Sequence, residues 1–222
     1  FNDKTRVREI LEGWKEACDK SRCAWGGGET PTLKGVVYPD TVVIAGSAIG
    51  IIQPKERLIK GELRPGLIIV GVESDGVNAN GLTLMRKIGE RKDGFLRKLM
   101  NRFSKKRFPL RALPEGYLTP ISSGQSYGEA LLTPTRIYAD LVEDCLKAGV
   151  NIAYAVNVTG HGFRKLMRHP KSLTYVIDTL PTQLPIFDFI QEHGPVSDEE
   201  AYGNFNMGMG YALYVPEGDA EK

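Results

Sequence analysis

The chain has 222 residues and a formal net charge of +2. That is enough length for one large domain or two small ones, and too little charge to make a polyanion the main partner. No apolar run approaches the roughly 20 residues of a membrane span, and no signal-peptide pattern is present, so neither nucleic acid nor membrane is an expected partner. Cys18, Cys23 and Cys145 are an odd number without the second pair a zinc site needs, and a reduced, cytoplasmic setting is the simplest expectation. The sequence begins at Phe1 already in a helical pattern, which is expected of the later part of a longer polypeptide.

Val7, Ile10, Leu11, Trp14 and Cys18 recur at helical spacing opposite charged residues, which predicts an amphipathic helix over 5–18 with one face on a core. Gly26-Gly27-Gly28-Glu29-Thr30 follows. Three glycines permit close backbone approach, and Glu29 is the kind of carboxylate that meets a metal–phosphate complex, although a turn with a solvated glutamate is the simpler reading. Residues 41–52 are rich in Val, Ile and Ala and predict a strand buried on both faces. Residues 53–66 are charged and bracketed by Pro54 and Pro65, the candidate domain boundary.

The apolar run Leu67 to Val70 enters Gly71-Val-Glu-Ser-Asp-Gly-Val-Asn-Ala-Asn-Gly81, and a helical pattern leaves it from near Asn80. A strand turning into a helix through short polar residues leaves free backbone N–H donors at the junction, and such junctions bind anions. Residues 91–111 read as a basic amphipathic helix, for which a solvated face is the plainer explanation. After a loop-like stretch, Pro114 to Gly128, Thr133 as N-cap and Pro134 at the first position predict a helix ending at Gly149, with Arg136 in its first turn. A cation there opposes the helix dipole and calls for a phosphate or carboxylate partner, or stands exposed without one.

A strand over 151–158 runs into Thr159-Gly160-His161-Gly162-Phe163, a second strand–glycine turn–helix junction. Here His161 is a proton carrier, a phosphate donor or simply a turn residue. Pro185 opens a short helix, Ser197 to Glu200 forms a capping box, and Asn204 to Gly210 leads into a strand over 211–215 before a frayed tail from Gly218. There is no Walker motif, dinucleotide fingerprint or nucleophile elbow, and three histidines are too few for a multi-histidine metal site. On residue chemistry alone this is a protein of mixed strands and helices with phosphate-suited turns.

Five motifs in order carry a resemblance: Gly-Gly-Glu-Thr at 27–30, Ser-Asp-Gly-Val-Asn-Ala-Asn-Gly at 74–81, Leu-Leu-Thr-Pro-Thr-Arg-Ile-Tyr at 131–138, Val-Thr-Gly-His-Gly-Phe at 158–163, and Ser-Asp-Glu-Glu with Phe-Asn-Met-Gly-Met-Gly between 197 and 210. Across 5–216 the chain resembles the aminoimidazole ribonucleotide synthetase (phosphoribosylformylglycinamidine cyclo-ligase) family. The resemblance implies an α+β chain. Residues 1–57 would be the end of an α/β sandwich first domain that binds ATP, and 58–222 a complete second domain with a mainly antiparallel or mixed sheet covered by helices. It implies a homodimer acting on a phosphoribosyl substrate, with ATP and Mg2+, by phosphorylating an amide oxygen before ring closure in purine biosynthesis. Carried onto this sequence, Gly27, Gly28, Glu29 and Thr30 would contact the nucleotide, with Glu29 at the metal. Asp75, Asn80, Thr133, Arg136, Thr159 and Gly160 would contact substrate, and Asn78 and His161 would stand at catalytic positions.

Three departures qualify that expectation. Asn78 stands where the family commonly has histidine, and an amide cannot shuttle a proton near neutral pH. His161 stands where the family commonly has glycine, and the family's early glycine- and aspartate-rich ATP segment is absent. The alternatives are a paralogue acting on another amide or carbonyl substrate, or a non-catalytic dimerising remnant.

Overall fold

The computed structural model describes residues 3–38, 41–91, 113–194 and 196–222, so the basic stretch predicted over 91–111 lies, apart from Arg91 itself, outside the described residues. The chain divides into two compact units, Phe1–Leu58 with Ile137–Gly149, and Ile59–Arg136 with Val150–Lys222.

In the first unit, α1 spans Lys4–Lys20, capped by the Asp3 carboxylate, which accepts from the N–H groups of Thr5 and Arg6. Its predicted stripe is half-covered at Val7, Ile10, Trp14 and Cys18, but no residue of the helix is fully buried. The Trp14 ring lies so close to Gly46 that a side chain there would sit 2.7 Å from it. Arg22, just past the helix, reaches Ala139–Lys147 (α4), with its guanidinium bonded to Asp144 by two nitrogens (2.7 and 2.8 Å) and to Glu143 (2.6 Å). Those bonds hold both carboxyls below the usual carboxylate range, Lys147 contributing most at Glu143. Residues 41–52, predicted as a strand buried on both faces, are instead irregular, with Ile49 and Ile51 almost fully exposed. Beyond Thr41 their backbone makes no hydrogen bond among the described residues. A strand needs a partner to satisfy its backbone, and among the described residues of this unit none is offered.

The second unit is built on an antiparallel sheet of order β1-β3-β2, with β1 Leu67–Glu73, β2 Tyr154–Asn157 and β3 Met209–Pro216. Mixed helix with a small antiparallel sheet is the α+β class. β3, nearly all buried, is the centre, and its partners both run against it. Helices α2 (Leu82–Gly89), α3 (Tyr127–Leu131) and α5 (Pro185–His193) pack Met85, Ile88, Tyr127, Phe187 and Ile190 into one core with Tyr214 and Ala212. Burial pushes the Tyr127 and Tyr214 hydroxyls well above the usual phenol range. They remain protonated donors to the Met85 and Leu166 carbonyls at 2.9 and 2.7 Å.

Several expectations are corrected. Thr133 does not cap a helix and Pro134 does not open one: residues 133–138 are irregular, and α4 starts at Ala139 without a side-chain cap. Tertiary contacts override the local signal, because Thr133 packs on Gly76 and Arg136 is drawn to Asp75. The helix present nearby is α3, opened by a Ser126–Glu129 capping box that lay in the expected loop. The segment after His161 is a 3₁₀ helix, Gly162–Met167. The tail is held rather than frayed: the Asp219 carboxylate accepts from the Asn151 N–H at 2.9 Å, beside the 3₁₀ turn Glu217–Asp219. The Pro185 start of α5 and the Ser197 capping box that opens α6 (Asp198–Asn204) are as expected.

Candidate functional site

Strand direction brings the site together. β1 and β2 both run antiparallel to β3, so they run parallel to each other, and both finish beside the start of β3: Glu73 is opposite Met209 and Asn157 opposite Tyr211. The junction at 74–81 and the turn at 159–163, some eighty residues apart in sequence, therefore emerge at one end of the sheet. The Asn80 Oδ1 joins them, accepting the Gly160 N–H at 2.8 Å. Of the predicted residues, Asn80, Gly160 and His161 thus come together, and Thr159 accepts the Gly162 N–H at 2.8 Å in the same turn.

Two positions there permit only glycine. Gly162 (φ +49°) has no room for a Cβ, which would lie 2.1 Å from the Tyr202 carbonyl oxygen, and at Gly81 (φ +69°) it would lie 2.3 Å from the Phe205 ring. His161 adopts φ +108° without being glycine, and its Nδ1 contacts the Gly160 carbonyl. Asn78 also has positive φ (+57°), and although its residue is only 6% exposed, neither atom of its side-chain amide has a hydrogen-bond partner among the described residues. Leaving a buried polar group unsatisfied costs about 1–3 kcal/mol. Such groups, with strained backbone, concentrate where function requires them.

Asp75 and Arg136 come together as an ion pair, Nε donating to Oδ2 at 3.0 Å and Nη2 to Oδ1. The cation that seemed to oppose a helix dipole therefore has a carboxylate partner and is not in a helix at all. Beside it lies a cavity of about 230 Å³ lined by Glu73, Ser74, Asp75, Thr182 and Gly208 among others. A larger open groove, about 560 Å³, is lined by α2, the Gly160-His161 turn and α6.

Sequence reasoning missed Ser74 and Asn206, both buried. The Asn206 Nδ2 donates to the Gly76 carbonyl (2.9 Å), while its Oδ1 accepts from the Ser74 hydroxyl and the Gly208 N–H, each at 3.0 Å. This knot fixes the turn between β1 and α2 to the start of β3. The Asn-Met-Gly signal was visible, but its partner lies 130 residues away.

Gly27, Gly28, Glu29 and Thr30 are exposed in the first unit, on a segment pinned by the Trp25 Nε1–H donating to the Gly27 carbonyl (2.6 Å). A Cβ at Gly26 or Gly27 would meet nothing within 4 Å, so no cradle closes round a phosphate there. Among the described residues no group of three or more His, Cys, Asp or Glu side chains could hold a metal. These residues by themselves do not fit a nucleotide–magnesium complex. No helix among the described residues is long and apolar enough to cross a membrane.

Residues 64–222 match the family model described as AIR synthase related protein, C-terminal domain. The chain is 36% identical over 214 residues to a phosphoribosylformylglycinamidine cyclo-ligase of Methanococcus maripaludis strain C5, covering 96% of this chain and 55% of that protein. Proteins of the same name from Methanocaldococcus jannaschii (34%; 97% and 56% covered) and Oceanobacillus iheyensis (30%; 98% and 58% covered) are similar over the same extent. The chain therefore spans little more than half the length of the curated relatives it matches. With its glycine turns meeting at one end of a β1-β3-β2 sheet and residues 64–222 matching throughout, the chain belongs to the AIR synthase related family through that C-terminal domain.

Proposed function

We propose that this chain provides the substrate-binding part of a phosphoribosylformylglycinamidine cyclo-ligase, the enzyme that closes the imidazole ring in purine biosynthesis. The observation that carries the reading is the Asn80–Gly160 hydrogen bond, which joins two phosphate-suited junctions beside one groove. Support comes from family membership and from the names of the relatives.

In this reading the Asn80–Gly160 bond holds the two turns in register, the Asn80 Nδ2 and the Thr159 hydroxyl donate to a phosphoribosyl ligand, and the bound geometry does most of the catalytic work by orientation. Arg136 offers a planar, charged donor, restrained by Asp75 of the turn after β1. Asn78 orients substrate through its amide, which donates and accepts but holds no titratable proton. His161 is the one imidazole of the two turns and takes the proton-transfer role in this reading.

ATP and Mg2+ remain expectations of the family resemblance. Glu29 is the contact this chain would offer, and the remaining ligands would come from the nucleotide's own phosphates and from protein this chain does not span. Residues 1–57 would complete an ATP-binding sandwich domain there, and a homodimer in the cytoplasm is part of the same proposal. The unpaired apolar segment 41–52 supports the need for additional sheet.

The test is to supply the chain, joined to the portion of a relative's length that it lacks, with Mg-ATP and phosphoribosylformylglycinamidine. Aminoimidazole ribonucleotide and phosphate should appear in equal amounts. Substrate binding without that product would favour the second reading, a paralogue acting on another amide, for which Asn78 at the family's histidine position is the specific observation. Binding with no turnover of any amide would leave a non-catalytic scaffold.

A further inference from the structure

The 560 Å³ groove carries two charges that the reading above does not use. Lys87 enters it from α2, one turn beyond Thr83 on the same face, and Glu200 enters from α6. Lys87 has no ion-pair partner among the described residues, and the two opposite charges do not pair with each other. Glu200 spends one carboxylate oxygen, Oε2, on the Ser197 N–H (3.0 Å) and hydroxyl (3.3 Å), while Oε1 has no partner among the described residues. Leu84 and Phe205 add apolar surface to the same groove.

A groove that keeps a cation and an anion apart suits a ligand with an anionic and a cationic end. A phosphoribosyl amidine is such a molecule: the phosphate is a dianion near neutrality, and an amidine is protonated there, presenting planar N–H donors as a guanidinium does. We propose that Lys87 receives the phosphate and Glu200 the amidinium, so that the pair sets both the orientation of the substrate and the preference for an amidine over an uncharged amide. This rests on the phosphoribosyl reading above.

The test titrates the 222-residue chain with ribose 5-phosphate and with phosphoribosylformylglycinamidine, by calorimetry, in Lys87→Gln and Glu200→Gln. Glutamine at 200 keeps the capping box while removing the charge, and circular dichroism verifies that both variants fold. Lys87→Gln is expected to weaken both ligands by about tenfold. Glu200→Gln is expected to weaken the amidine ribotide several-fold and leave ribose 5-phosphate unweakened. Equal affinities in all three proteins, or equal losses of both ligands in Glu200→Gln, would overturn the assignment while sparing the phosphoribosyl reading. Failure of the unaltered chain to bind either ligand would overturn that reading itself and this proposal with it.

Discussion

The Asn80 Oδ1 accepts the Gly160 N–H at 2.8 Å, and this one bond ties the turn after β1 to the turn after β2. Both residues are half-buried, so the bond is partly shielded from water. Asn80→Ala is expected to lower unfolding stability by about 1–2 kcal/mol in urea titration. The same change should weaken ribose 5-phosphate binding, since the two turns lose their common register. A variant with full affinity would separate the clamp from the ligand site.

Asn206 makes three hydrogen bonds in a fully buried position. Asn206→Ala leaves the Ser74 hydroxyl, the Gly76 carbonyl and the Gly208 N–H without their partner and is expected to cost about 3 kcal/mol. Chemical denaturation measures it. Ser74→Ala removes one of these bonds and should cost less.

Asp75 and Arg136 are each roughly 40% exposed along the side chain, 45% and 39% respectively. A double-mutant cycle on unfolding should therefore return a coupling of only about 0.5–1 kcal/mol. Ligand affinity should respond more. Arg136→Ala weakens ribose 5-phosphate, and Asp75→Asn strengthens it by releasing the guanidinium from its competing carboxylate. Unchanged affinity in Arg136→Ala would remove Arg136 from the phosphate contacts.

Asn78 presents a buried amide without partners. Asn78→His installs the titratable group common in the family, and the reconstituted enzyme should then acquire a new ionisation near pH 6.5 in its rate profile. If the profile of the variant overlays that of the native chain, position 78 does not face the reaction.

Glu129 is held below the usual carboxylate range by the Ser126 backbone N–H and then by its hydroxyl, in the capping box of α3. Because the folded value is the lower one, this contribution is complete above the ordinary carboxylate range and disappears as pH falls through the folded value. The melting-temperature gap between the native chain and Glu129→Ala should be constant near neutrality and close below about pH 4.

Local chemistry made much of the chain legible in advance. Pro185 and Ser197 marked helix starts because a missing N–H and a short side-chain oxygen act within one turn of chain. Leu67 to Val70 and residues 211–215 announced strands by apolar run and alternation. Ordered glycine and asparagine motifs were enough to name the family, since backbone turns tolerate few substitutes.

What sequence left undecided depended on partners far along the chain. Thr133-Pro134 has the chemistry of a helix start, yet Gly76 and Asp75 draw that segment into an irregular path. Residues 41–52 have the composition of a central strand, but a strand exists only where another chain segment pairs with it. The meeting of Asn80 with Gly160 and of Asn206 with Gly76 follows from β1 and β2 both running against β3. Sequence settled which turns could form, because turn geometry is local; tertiary structure alone decided which turns meet, because strand pairing is not.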